Sequence, residues 1–223
     1  TSNTKASLET DTNASGKGAN VNAGTGNVDI VASSASQSTV KATADVKGSG
    51  GSAKVGVGVS AGVHVGVNTT VADVADKALL RGGTNLALNA SANHAVDNTV
   101  EGGAAGAKVS ITPVVAVSVA VNTTQAHIGS QAAGPNTGLN LLGTLSSDAE
   151  QTHTMKTSAK GAAAGEIAVG AALVASVAVD DVSSTLGRDL ESSTGLSLAS
   201  SSDTSITTIA LASAKGAKAA TKN

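Results

Sequence analysis

The sequence has no aromatic residue and no cysteine, and these two absences narrow the protein class. Its 223 residues include no Phe, Tyr, Trp or Cys, one Met and two Pro. Aromatic side chains supply the largest buried areas of ordinary globular cores, so a core here has to be assembled from small side chains. Without cysteine there are neither disulfide bridges nor thiolate metal ligands. A compact enzyme domain with a conventional core is therefore not expected.

Charge is also scarce. Charged residues make up 13% of the chain, with 14 basic and 16 acidic side chains. No basic face is available for nucleic acid or for an anionic membrane. The longest apolar stretches, such as residues 55–67, have 13 residues each, whereas a membrane-spanning helix needs about 20. A mean hydropathy of +0.13 argues against a disordered chain. We expect a folded protein with no nucleic-acid partner and no membrane insertion.

A valine-rich phrase occurs three times along the chain. Its equivalent points are Asn68, Asn122 and Asp180, separated by 54 and 58 residues. A second phrase follows a glycine-rich turn in each unit and recurs 58, 53 and 57 residues apart. Its copies open at Val28, Leu86, Leu139 and Leu196. Two markers with a similar period indicate a repeat protein.

These markers divide the chain into units of one continuous solenoid. Residues 1–27 are predicted to be the end of a preceding repeat, and residues 196–223 the start of a fourth. The three repeats between them are predicted at 28–85, 86–138 and 139–195. We expect the chain to be a stretch of a longer repetitive protein.

Strict alternation in the valine-rich copies predicts β-strands, because β-branched residues at every second position line one face of a strand. Thirteen residues would extend about 40 Å, so the strand is expected to turn a corner at Gly62 or Ala116, or to be fibrous. The opposite face is small enough for close approach of a second sheet or chain. The residues predicted to form the core or assembly strands are Val63, Val65, Val67, Val117, Val119, Val121, Val177 and Val179.

The fold class predicted from these patterns is all-β: a β-solenoid built from repeats of about 55 residues, with room for two or more coils each and the capacity to form a fibre. Glycine clusters at 48–51, 102–106 and 161–165 are predicted to be tight turns or thin corners. Further corners, with asparagine amides hydrogen-bonded along the solenoid axis, are predicted at Asn68, Thr69, Thr70, Asn122, Thr123, Thr124 and Asp180. Glycosylation at the Asn-Thr-Thr sequons is the alternative for the two asparagines.

The phrase Val-x-Val-x-Val-Asn-Thr-Thr-x-Ala-x-Ile, complete at 117–128, resembles the repeats of very large secreted bacterial filamentous adhesins and autotransporter-like surface proteins, including the leukotoxin-type filamentous adhesins. The resemblance implies a secreted β-solenoid stalk that serves in adhesion, biofilm or cell-surface fibres. It implies an extracellular location and brings no catalytic residues with it.

Motifs for chemistry are weak. The histidines, at 64, 94, 127 and 153, are interpreted as occupying different repeat positions without metal-ligand spacing. No P-loop or Gly-x-Ser-x-Gly elbow occurs. An ion at Asp180-Asp181, or at the Asp73 and Asp76 pair, is the remaining metal hypothesis. We therefore expect no catalytic residues, no cofactor and no enzymatic activity.

The function predicted from the sequence is a non-enzymatic extracellular structural protein: a stalk or fibre-forming segment of a bacterial surface adhesin or of a biofilm matrix filament. Its expected partners are itself, through head-to-tail or lateral association, and flanking repeats. The alternative is a ligand-binding adhesin module that recognises a host surface, a glycan or ice on one solenoid face.

Overall fold

A computed structural model describes residues 1–9, 20–46, 54–106, 108–134 and 137–216. In these ranges every helix or strand element is a β-strand, which confirms the all-β prediction. All strand pairs are parallel and form three sheets.

The strands alternate between the sheets in chain order. Sheet A contains β1 (Ser2–Leu8), β4 (Val55–Val57), β5 (Ser60–Val74), β8 (Val109–Ile128) and β11 (Ile167–Leu186). Sheet B contains β2 (Asn20–Gly24), β6 (Leu79–Gly82), β9 (Leu139–Asn140) and β12 (Leu190–Ser192). Sheet C contains β3 (Val28–Val46), β7 (Leu86–Ala105), β10 (Thr144–Gly165) and β13 (Gly195–Gly216).

Each turn of the chain passes once through sheets A, B and C, which makes the fold a parallel β-solenoid. β5, β6 and β7 form one such coil, and β8, β9 and β10 form the next. A coil therefore consumes a whole valine-rich unit, and the expectation of two or more coils per unit is wrong. The reason is strand length: β8 runs for 20 residues, about 66 Å at the usual rise, against a typical strand of 5 or 6 residues.

The long strands do not bend where a corner was predicted. β8 continues through Pro113 and Ala116, and Gly62 lies within β5. Proline has no N–H for the ladder, and Pro113 faces the break between β4 and β5: Val57 pairs with Ile111, and pairing resumes at Ser60 with Val114. The missing donor is thus placed where the neighbouring strand is interrupted.

The register of sheet C corrects one repeat marker. Leu86 pairs with Val28 on one side and with Leu145 on the other, and Leu145 pairs in turn with Leu196. Leu139, which the sequence pattern aligned with Leu86, lies in sheet B and pairs with Leu190. The error arises because Leu139 stands in a similar Gly-Leu-x-Leu phrase six residues earlier.

The interior tapers like a wedge. At the end where the three sheets meet, large aliphatic side chains form the main core, with Leu86, Leu88, Ile128, Leu139 and Leu145 almost completely buried. The strands of sheet A run towards this end and those of sheet C run away from it. Further from the core the two sheets converge, so that a Cβ on Gly102 would lie 2.6 Å from Val114 Cγ2.

The glycine clusters belong to this thin end. Those at 102–106 and 161–165 lie in or beside the last residues of β7 and β10, so they are a thin edge and not tight turns. The cluster at 48–51 falls outside the described residues. Glycine is needed for a turn at the other end of sheet C, where Gly24 and Gly82 pair and have φ of 58° and 67°.

Candidate functional site

The outer side of sheet A is a continuous aliphatic surface. Each of the three valine-rich segments places seven outward side chains there, and every one is Val, Ile, Leu, Ala or Pro. Val63 and Val65 are 64% and 65% exposed. We call this surface the aliphatic face; its outward residues are the odd-numbered ones in 55–67, 109–121 and 167–179.

Val63, Val65, Val67, Val177 and Val179 were predicted to form core or assembly strands; all five are exposed, so they do not pack into the core, and their role in assembly stays a prediction. Val117, Val119 and Val121 lie on the same outward side of the central strand and are half-buried by their neighbours.

The limited space inside explains this orientation. Most inner positions of the same strands carry Gly, Ala, Ser or Thr, and a Cβ on Gly62 would lie 2.5 Å from Val100 Cγ2. Valine at such a glycine would force the sheets apart, although Val114 and Val174 fit at inner positions elsewhere in these strands. Alternation therefore predicts the strand correctly but not its inner face.

The aliphatic side chains form straight rows across the strands. Val65 pairs with Val119 and Val119 with Val177, and a parallel row joins Val67 to Val121 and Val179. Three strands about 4.8 Å apart, each with about 40 Å of aliphatic sequence, cover roughly 600 Å². This matches the largest apolar patches of typical monomers, which often mark interaction sites.

Charged residues flank the aliphatic face at both ends. Lys54, Lys108 and Glu166 stand exposed just before the three segments. At the far end the outward residues are Thr69, Thr123 and the exposed Asp181. The lysine end thus has one net positive charge, and the other end a negative one.

On the inner side of sheet A, a polar ladder runs along the solenoid axis. Asn68 Nδ2 donates to Asn122 Oδ1 at 2.8 Å, and Asn122 Nδ2 donates to Asp180 Oδ1 at 2.7 Å. This is the axial bonding expected from the spacing. The three residues lie within β5, β8 and β11, so the prediction that they form corners is wrong.

The threonines beside the ladder also lie inside strands and not at corners. Thr70 and Thr124 are fully buried, and Thr124 Oγ1 donates to Gln151 Oε1 at 2.8 Å. Thr69 and Thr123 occupy the outward side. Asn122 is 0% exposed, which removes it as a glycan acceptor in this fold.

Asp180 ends the ladder in a dense set of donors. It accepts from Thr204 Oγ1 at 2.6 Å and from Asn122, and His153 Nδ1 lies 3.2 Å from its carboxylate. Burial alone would raise the pKa of Asp180, but the hydrogen bonds from Thr204, Asn122 and His153 hold that pKa below its usual value. The carboxylate is thus a half-buried anion secured by three neighbours.

Two of the four histidines occupy equivalent positions in successive coils, which the sequence pattern did not indicate. His94 and His153 are register partners in adjacent strands of sheet C and are both buried. They are 59 residues apart, whereas the valine-rich markers repeat at 54 and 58 residues. The markers therefore did not align the two histidines. Burial lowers the pKa of His94 and, on sheet A, that of His64.

The polar side chains proposed to hold ions bond to protein groups. His127 Nδ1 lies 3.0 Å from Asp73 Oδ1, and Asp76 Oδ1 accepts from the Ser130 backbone N–H and hydroxyl. Within the described residues no group of three or more His, Asp or Glu side chains is arranged to hold a metal ion.

Arg188 joins three coils at the corner between sheets A and B, a role that sequence reasoning missed. Its guanidinium donates to the carbonyls of Ala78 at 2.6 Å, Gly129 at 2.7 Å and Ala75 at 3.0 Å. The side chain is almost fully buried. The only sequence signal is a single arginine at the position that Ser130 holds one coil earlier.

No family model, no curated protein and no solved structure matches this chain. In the described ranges no helix is long and apolar enough to cross a membrane.

Proposed function

We propose that this chain is a non-enzymatic structural segment, the body of an extracellular stalk or fibre in a bacterial surface adhesin or biofilm filament. The observation that carries the proposal is in-register stacking. β8 pairs residue by residue with β11 over Val109–Ile128, and β10 pairs with β13 over its whole length. Equivalent coils therefore add along one axis, with the same backbone pattern at each step.

The outermost strands of the stack support axial growth. β11 and β13 are the last strands of sheets A and C at one end, and β1 and β3 at the other. A parallel edge strand offers unpaired N–H and C=O groups that can template a further strand. Flanking repeats or a second copy of the chain are the partners that fit these edges.

The buried polar groups fit a structural role. Asp180, Asn122 and His153 bond across coils inside the wedge, where they secure the register. The extracellular location rests on the resemblance of the Asn-Thr-Thr phrase to repeats of secreted surface proteins.

Electron microscopy and fibre diffraction of the purified chain test this proposal. We expect unbranched filaments of constant width, with a reflection near 4.8 Å along the filament axis from stacked strands. A variant with a charge on the aliphatic face, Val65→Lys, should still form filaments, because that face is not needed for axial stacking. Dispersed particles at all concentrations, in both proteins, would overturn the proposal.

A further inference from the structure

We infer that the aliphatic face is a docking surface for a second copy of this chain, packed face to face. The inference deepens the proposed fibre by adding a lateral contact, but the face is complete within one chain, so it can be tested without filaments. Its roughly 600 Å² per copy would bury about 1,200 Å² in total, which reaches the lower limit of stable protein interfaces.

The shape of the face suits its own copy. Rows of valine stand about 6.6 Å apart along each strand, since every second residue points outward. Ala61, Ala171 and Ala175 leave shallow places among the larger side chains. Two flat sheets with identical row spacing can interdigitate at the usual separation of about 10 Å. No outward position within the face carries a polar group that would be buried without a partner.

The flanking charges select one orientation. A two-fold axis parallel to the solenoid axis reverses the strand direction of the partner. Each strand then faces its own copy, so Glu166 of one chain lies over Asp181 of the other. The alternative two-fold axis, along β8, places Lys54 of each copy over Glu166 of the other and Lys108 over its own copy. Two pairs of opposite charge against one pair of like charge therefore favour parallel strands and antiparallel solenoid axes.

The first test is the mass of the full chain by sedimentation. At concentrations below the onset of filament formation we expect a dimer of the 21.2 kDa chain, and a monomer for Val65→Lys combined with Val119→Lys. The matched control places the same two charges on the outer side of sheet C, at the exposed Val31 and Leu211, and should remain dimeric. Far-UV circular dichroism confirms that both variants retain their strands.

The second test is cross-linking, and it also works if filaments form. The chain has no cysteine, so single cysteines can be added at chosen rows. Facing sheets lie about 10 Å apart, beyond the Cα separation of a disulfide, so a short bismaleimide reagent is required. With the two-fold axis along β8, Val115→Cys and Val121→Cys both lie next to their own copies and should cross-link to themselves at similar rates, whereas an axis across the strands would place Val121→Cys roughly 40 Å from its own copy.

The outcomes separate the inference from the proposed fibre. In mixed chains Val109→Cys and Val121→Cys would lie roughly 40 Å apart and should not cross-link to each other, and Leu211→Cys should not cross-link at all. A wild-type monomer at all concentrations, or a monomer that instead binds phosphatidylcholine vesicles, would overturn self-docking even if axial filaments form. Self-linking of Val115→Cys about tenfold faster than that of Val121→Cys would overturn the parallel orientation.

Discussion

The two faces of sheet A reverse the usual distribution of hydrophobic residues. The outward side chains of β5 include Val63 and Val65, both largely exposed, whereas the inward side carries Gly62 and Gly66. In the next coil, the inward Ser118 and Asn122 are completely buried. Hydropathy alone would predict that the valine side of sheet A is buried and the glycine side exposed. The difference shows that the width of the interior decides which face is buried, because two sheets in close contact admit only small side chains.

The polar residues on the inner face are tolerated because the stack supplies their partners. A buried amide costs free energy unless it is hydrogen-bonded, and identical side chains in successive coils lie one strand spacing apart. Asn68 and Asn122 satisfy one another in this way. Repetition along the axis thus satisfies polar side chains in the part of the interior where the two sheets are closest.

Gly62→Val is expected to change the free energy of unfolding most, and it tests directly whether the inner face of sheet A is more confined than the outer face. The new Cβ would lie 2.5 Å from Val100 Cγ2 and 2.7 Å from Asn98 Oδ1, so the sheets must separate or the side chains must leave their rotamers. We expect the free energy of unfolding to fall by about 3 kcal/mol, at the upper end of overpacking costs. Urea titration monitored by circular dichroism measures it.

The matched control for Gly62→Val lies one residue away. Val63→Leu adds bulk on the outer face, where the side chain is 64% exposed, and should change the free energy of unfolding by no more than about 0.5 kcal/mol. Equal destabilisation by both changes would mean that the two faces are equally confined, which would contradict the wedge geometry.

Asn122→Leu tests the polar side of the comparison. Leucine has a similar length, but it leaves Asn68 Nδ2 without its acceptor and removes one donor from Asp180 Oδ1. A buried polar group that loses its partner costs about 1–3 kcal/mol. We expect a loss of about 2 kcal/mol in urea titration. Thr123→Val, on the outward side of the same strand, is the control and should be close to neutral; a neutral Asn122→Leu would show that the ladder contributes nothing.

Sequence patterns predicted the strands, the stacking of repeats in a solenoid and the axial asparagine bonding, because each depends on residue spacing alone. They did not identify the inner face of sheet A. Valine at 63 and glycine at 62 alternate equally well whichever side is buried, and the choice depends on Val100 and Asn98 in a strand that lies 36 and 38 residues further along the chain. The pairing of Leu86 with Leu145, and of His94 with His153, was hidden for a related reason: loop lengths differ between coils, so one period does not align every strand.

The smallest expected effect is a dependence of stability on pH, and it concerns two inward histidines. Burial lowers the pKa of both His64 and His94 in the folded chain, and nearby His153 lowers them further, while Asp180 acts in the opposite direction on His94. The unfolded chain therefore binds protons first, near the ordinary histidine pKa of about 6.5. Stability should be fully present above that pH and should decline as the pH falls towards the folded-state pKa values.

The loss of stability caused by the histidines can be distinguished from the loss caused by the half-buried carboxylate of Asp180. Asp180 also has a lowered pKa, so its contribution is lost only below the ordinary aspartate range of about 4. Urea midpoints measured from pH 8 to pH 5 should fall in the wild type and should be flatter in His64→Gln combined with His94→Gln. An unchanged slope in the double variant would mean that neither histidine is confined as the inner face requires. If the pH dependence of the urea midpoint disappears in the double variant, the narrow interior disfavours charged side chains as well as bulky ones. The outer face is open to solvent and disfavours neither.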